Sequence, residues 1–182
     1  MKTFVKKNER GFTLIELMTA LSIFTIVITV SMGSILAIFN ANRKARSLKV
    51  LVSSLNLAVE ELSKEMRYGI NYHCGSSGTI TSPQNCSSGG TFVSFLSSDA
   101  VQITYRLNGT TFEKQVTTSG DWLPVIPPQV VIDSVNFYAF GTGAGDLLQP
   151  RMIVKIQAHS GTSTGRSDLS LETVISQRRP DS

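Results

Sequence analysis

The sequence predicts an α+β protein in which one long N-terminal helix, apolar in its first half and amphipathic in its second, packs on an antiparallel β-sheet head. Three observations carry this. From Phe12 to Phe39 only Glu16 is charged. From Ala41 to Met66 apolar residues recur at alternating spacings of four and three, the period of one helix face. Beyond Ile70 short runs alternate apolar with polar residues between turns rich in Gly, Ser and Pro, the period of half-buried strands.

As a helix, the 28 residues from Phe12 to Phe39 extend about 42 Å, more than the roughly 30 Å of a bilayer's hydrocarbon core. A secretory signal peptide has an apolar run about half as long, ending in a small-x-small site. No clear site of that kind stands near Phe39-Asn40-Ala41. An ordinary single-pass anchor fits the length but leaves Glu16 unexplained, because a carboxylate there costs at least roughly 2.5–3.5 kcal/mol. The run holds no Lys, Arg or His to pair with it. Ser31, Gly33 and Ser34 interrupt the run; a helical Gly costs about 1 kcal/mol relative to Ala, or else admits a neighbouring helix closely. Lys2, Lys6, Lys7 and Arg10 precede the span and Arg43, Lys44, Arg46 and Lys49 follow it, so basic residues alone do not orient it.

The stretch Arg10-Gly11-Phe12-Thr13-Leu14-Ile15-Glu16-Leu17 resembles the class III signal of type IV pilins and pseudopilins. The resemblance implies that prepilin peptidase cuts after Gly11 and methylates the new amine of Phe12. It also implies that Glu16, fifth after the cut, neutralises the N-terminal amine of a neighbouring subunit during polymerisation. An ammonium and a carboxylate are both poorly solvated in lipid, so pairing them between chains relieves both. The motif covers eight residues and, with its flanks, the resemblance reaches about Met66. It implies a cytoplasmic N-terminus, a single pass through the bacterial inner membrane and an extracytoplasmic head that later joins a periplasmic or cell-surface filament. The implied partners are the peptidase, other pilin or pseudopilin subunits, an inner-membrane assembly platform and the lipid bilayer. Several pilins carry proline where Gly33 stands, and their helix melts there in the filament; glycine leaves that open. The expected divisions are a leader at 1–11, a membrane and polymerisation helix at 12–39, an amphipathic helix at 40–69 and a β-rich head at 70–182.

The amphipathic stripe is Ala41, Ala45, Leu48, Val52, Leu55, Val59, Leu62 and Met66. Off it lie the charged residues, with Glu60 and Lys64 at the favoured i, i+4 spacing. It reads as a face packing on the chain's own sheet, ending at Gly69. Cys74 and Cys86 flank a polar Gly- and Ser-rich segment; in an exported head, two cysteines read as one disulfide. The strand candidates are Thr91–Leu96, then Val101–Leu107 and Phe112–Val116 as a hairpin about Asn108-Gly109, and Val130–Phe140, Arg151–Ala158 and Leu169–Gln177. Trp122 to Pro128, with three prolines, reads as an extended crossover.

Charge and motifs narrow the function. The net charge of +4 and pI near 9.2 come largely from the leader and the residues after the span. From Ile70 onward there are seven basic and eight acidic side chains. That balance argues against a nucleic-acid partner. His73 and His159 belong to no nucleophile or metal motif, and no Gly-x-Ser-x-Gly occurs. Gly141-Thr142-Gly143-Ala144-Gly145-Asp146 lacks the Gly-Lys-Ser/Thr ending of a phosphate loop. Asp121 and Asp146 sit in no calcium-ligand array. The expectation is a structural filament subunit, a minor pilin or minor pseudopilin, with no catalysis, metal or cofactor. The alternative is a competence-type or adhesive minor pilin whose head binds DNA or a surface ligand; a membrane-anchored exoprotein outside any filament is the third class.

Overall fold

The computed structural model describes residues 11–74, 83–117, 120–143 and 148–178. One helix, α1 (Leu14–Tyr68), precedes β1 (Ile70–His73), β2 (Phe92–Leu96), β3 (Gln102–Asn108), β4 (Thr111–Val116), β5 (Trp122–Pro124), β6 (Val130–Phe140), β7 (Arg151–Ser160) and β8 (Ser167–Ser176). This is the expected α+β architecture. The chain divides into two compact units, Met1–Asn42 and Arg43–Ser182.

In the first unit α1 runs unbroken through Gly33 with every described side chain exposed. Four of its hydroxyls are satisfied within the helix: Ser22, Thr25, Thr29 and Ser34 each donate to the carbonyl four residues back. That removes the polar penalty such side chains would otherwise bring to an apolar medium. The helix is long and apolar enough to cross a membrane.

In the second unit the strands form two antiparallel meanders, β1-β2-β3-β4-β5 and β6-β7-β8, where one sheet was expected. They share a core. The rings of Tyr72, Phe95, Tyr105 and Phe112 follow one another across the first sheet, and Phe112 meets Phe137 of β6 at 6.3 Å between centroids. A backbone bridge between Gly90 and Phe137 joins the sheets as well.

The helix offers this core Leu51, Leu55, Ala58, Leu62 and Met66, all buried. Leu48 and Val52 of the expected stripe are 44 % and 36 % exposed. At about 100° per residue, the buried face centres about 40° round the helix from the heptad reading. The rotation brings Glu61 and Glu65 within reach of the first sheet, where Lys114 Nζ donates to both and the Tyr105 hydroxyl donates to Glu65. The ion pairs of this helix among the described residues run to Lys114, not between Glu60 and Lys64.

Other differences are local. The helix does stop at Gly69 as expected, though without a positive φ; a Cβ there would meet the Phe95 ring at 2.5 Å. β1 was not anticipated, since Ile70–His73 is short and follows the helix at once. Trp122–Pro124 is no mere crossover but an edge strand paired with β4, a place that tolerates proline. At the hairpin Asn108 pairs with Thr111, so Gly109, with φ 61°, takes the first central position of the turn. That is where a type II′ turn places glycine.

Candidate functional site

The first turn of α1 follows from a local pattern, Thr-x-x-Glu before an apolar run. Thr13 precedes the helix, and its side-chain oxygen accepts the Glu16 amide at 3.4 Å. In return, the Glu16 carboxylate accepts the Thr13 amide at 3.3 Å and the Thr13 hydroxyl at 3.2 Å. This reciprocal cap satisfies helix-end donors that no carbonyl can reach. It also places the run's single carboxylate at the helix N-terminus, where partial positive charge gathers. Gly11 and Phe12 lie immediately outside, with nothing within 4 Å of a Cβ built on Gly11 and Phe12 88 % exposed. Among the described residues nothing covers this junction. Glu16 meets no Lys, Arg or His side chain in an ion pair among the described residues.

In the head, Cys74 and Cys86 are joined with Cα atoms 6.0 Å apart. The bond fastens the stretch after Pro83 beside β6, where the Cys86 amide donates to the Ala139 carbonyl at 2.8 Å. Asn85 continues the attachment, its side-chain carbonyl accepting both the amide and the hydroxyl of Thr142 at 3.0 Å. Thus the start of the glycine-rich loop serves as an anchor for a neighbouring segment; Asp146 lies outside the described residues.

One cluster escaped sequence reasoning. His159 Nδ1 lies 2.9 Å from both carboxylate oxygens of Asp133, and Asp168 stands opposite His159 on β8. A bulge between Ile132 and Ser134 makes Asp133 the extra residue of β6. Only strand register brings these three together, so no sequence spacing announces them. Arg166 balances the group, donating to Asp168 at 2.8 and 2.6 Å and holding its carboxyl below the usual range. His73 ends β1 and lies outside this cluster.

Between helix and sheet, burial first and then the bond to Glu65 push the Tyr105 phenol well above its ordinary range. For Lys114, burial pulls the ammonium down, but the bonds to Glu61 and Glu65 together outweigh it and the net shift is upward. These groups fix the helix on the sheet.

No curated protein and no solved structure matches the chain. A family match does exist at the N-terminus, ending at Met32 and leaving the head outside it. Such a signal implies processing by prepilin peptidase and assembly with other pilins, in a family that is structural rather than catalytic. Residues 6–32 match the prokaryotic N-terminal methylation motif, and the chain with the open Gly11–Phe12 junction and the capped Glu16 carries the type IV pilin signal.

Proposed function

We propose that this chain is a structural subunit, a minor pilin or pseudopilin, of a type IV pilus or type II secretion filament. The observation that carries the reading is Glu16: a lone carboxylate at the head of the apolar, exposed first half of α1, four residues past a Gly11–Phe12 junction that no described residue covers. Cleavage after Gly11 creates the only ammonium near it, on Phe12, and methylation keeps that charge. Within lipid, the carboxylate of one subunit and the amine of the next relieve each other's poor solvation. On this reading 1–11 is the leader, 12–39 the membrane and polymerisation helix, 40–69 the amphipathic helix and 70–182 the head. The N-terminus faces the cytoplasm of a bacterial cell and the head faces outward, a compartment in which the Cys74–Cys86 bond persists.

Intact-mass measurement on membrane fractions tests it. Cells with an active peptidase should yield a species starting at N-methylated Phe12, and Gly11→Val should leave the uncut chain. A mature species starting at Met1, or near Ala41, would overturn the reading.

A further inference from the structure

We propose that Arg43, Lys44, Arg46 and Lys49 form a basic collar that binds anionic phospholipid headgroups on the side of the bilayer opposite the leader. Four cations fall within seven residues of α1, and no acidic residue lies between Glu16 and Glu60. All four side chains are exposed, and none takes part in an ion pair among the described residues. Of the Asp133–His159–Asp168 cluster, Asp168 bonds Arg166 and Asp133 bonds His159, and Lys44 attracts Asp168 only through space, with no direct ion pair.

Two geometric facts select lipid over a protein partner. At about 100° per residue, the four positions stand about 60°, 60°, 100° and 140° apart round the helix. They spread charge round the helix except on the side where Ser47 bonds Gly165 and Ser167 of the head, as a layer surrounding the exposed part of the helix requires; a docked protein would read one face. Arg43 follows Phe39, the last residue of the apolar run, by four positions, about one helical turn. Helical side chains lean toward the N-terminus, so these lean toward the span. Phosphate-bearing anionic headgroups are the complementary chemistry there, and their attraction is screened by salt. The inference rests on the reading of 12–39 as a membrane span, so insertion is measured separately.

The test uses the full chain with its leader neutralised (Lys2→Gln, Lys6→Gln, Lys7→Gln, Arg10→Gln), reconstituted in phosphatidylcholine vesicles. Spin-labelled phosphatidylglycerol or phosphatidylcholine reports lipid selectivity by electron spin resonance, and flotation after a carbonate wash reports insertion. The expected preference for phosphatidylglycerol is about twofold or more at low salt, falling toward unity in concentrated NaCl. Adding Arg43→Gln, Lys44→Gln, Arg46→Gln and Lys49→Gln should abolish it while flotation persists, and Arg43→Lys with Arg46→Lys should preserve it. Equal affinity for the two lipids before the collar is neutralised would overturn the proposal. So would a preference that survives neutralisation while cross-linking between subunits is lost, which would assign the collar to protein contact. If the fourfold variant does not insert, a preference indifferent to salt in the starting protein overturns it equally. Failure of the starting protein itself to float would overturn the span reading and this proposal with it.

Discussion

Thr13 and Glu16 hold each other across the first turn of α1, the Thr13 hydroxyl donating to the Glu16 carboxylate and the Glu16 amide donating back to the Thr13 oxygen. The carboxylate assigned to a neighbour's amine is therefore also part of its own helix's cap. These two roles separate by substitution, since glutamine serves in a capping box as glutamate does but carries no charge.

Glu16→Gln should leave the helix and the cut at Gly11 intact while abolishing incorporation into filaments, read by cross-linking and by probing sheared material. Thr13→Ala should weaken only the cap, by about 0.5–2 kcal/mol, and retain partial incorporation. Assembly of Glu16→Gln at the parent's level, at matched expression, would rule out charge neutralisation here.

The contact of Lys114 with Glu61 and Glu65, and of Tyr105 with Glu65, predicts alkaline sensitivity. Both folded pKa values are raised above the ordinary 10.5 and 10.0, so the folded head keeps protons that the unfolded chain releases from about pH 10 upward. The stabilisation is complete below that pH and is lost as pH rises toward the folded values. Thermal midpoints of the detergent-solubilised chain between pH 9 and 11.5 should fall more steeply for the parent than for Tyr105→Phe or Lys114→Met. Parallel slopes would contradict the assignment.

Gly69→Ala tests the close approach at the helix end. A methyl group there meets the Phe95 ring at 2.5 Å, so Phe95 must shift within a packed row of rings, at about 1–3 kcal/mol. Gly69→Ala with Phe95→Leu should recover part of the loss. Were the single variant as stable as the parent in urea, the contact would not be a constraint.

Reducing the Cys74–Cys86 bond, or Cys86→Ser, should lower head stability by about 3 kcal/mol on the loop-entropy scale, the cysteines being 12 residues apart. The native chain should resist thiol alkylation until reduced. Two freely alkylated thiols without reductant would refute this.

Sequence periodicity was informative where one physical rule dominated. Gly11, Phe12 and Glu16 stand out because a charge in an apolar run has no bland explanation, and long alternating runs such as Val130–Phe140 declare themselves. The buried helix face did so only in part: Leu55, Leu62 and Met66 belong to the expected stripe and Leu51 and Ala58 do not, because apolarity alone could not foresee the contacts of Tyr105 and Lys114 with Glu61 and Glu65. β1 and β5, four and three residues long, did not, since their pairing is decided by their neighbours. The Asp133–His159–Asp168 group is a product of strand register and a bulge, information that no local window contains.

The bridge between Gly90 and Phe137, beside the ring contact of Phe112 with Phe137, ties the two sheets of the head together among the described residues. Loosening either sheet strips the other of ring contacts and of backbone bonds together. Amide hydrogens on Phe95, Tyr105 and Phe137 should therefore exchange with solvent at one common, slowest rate. A head pulled from its helix end would then stay whole until it gives way in a single step.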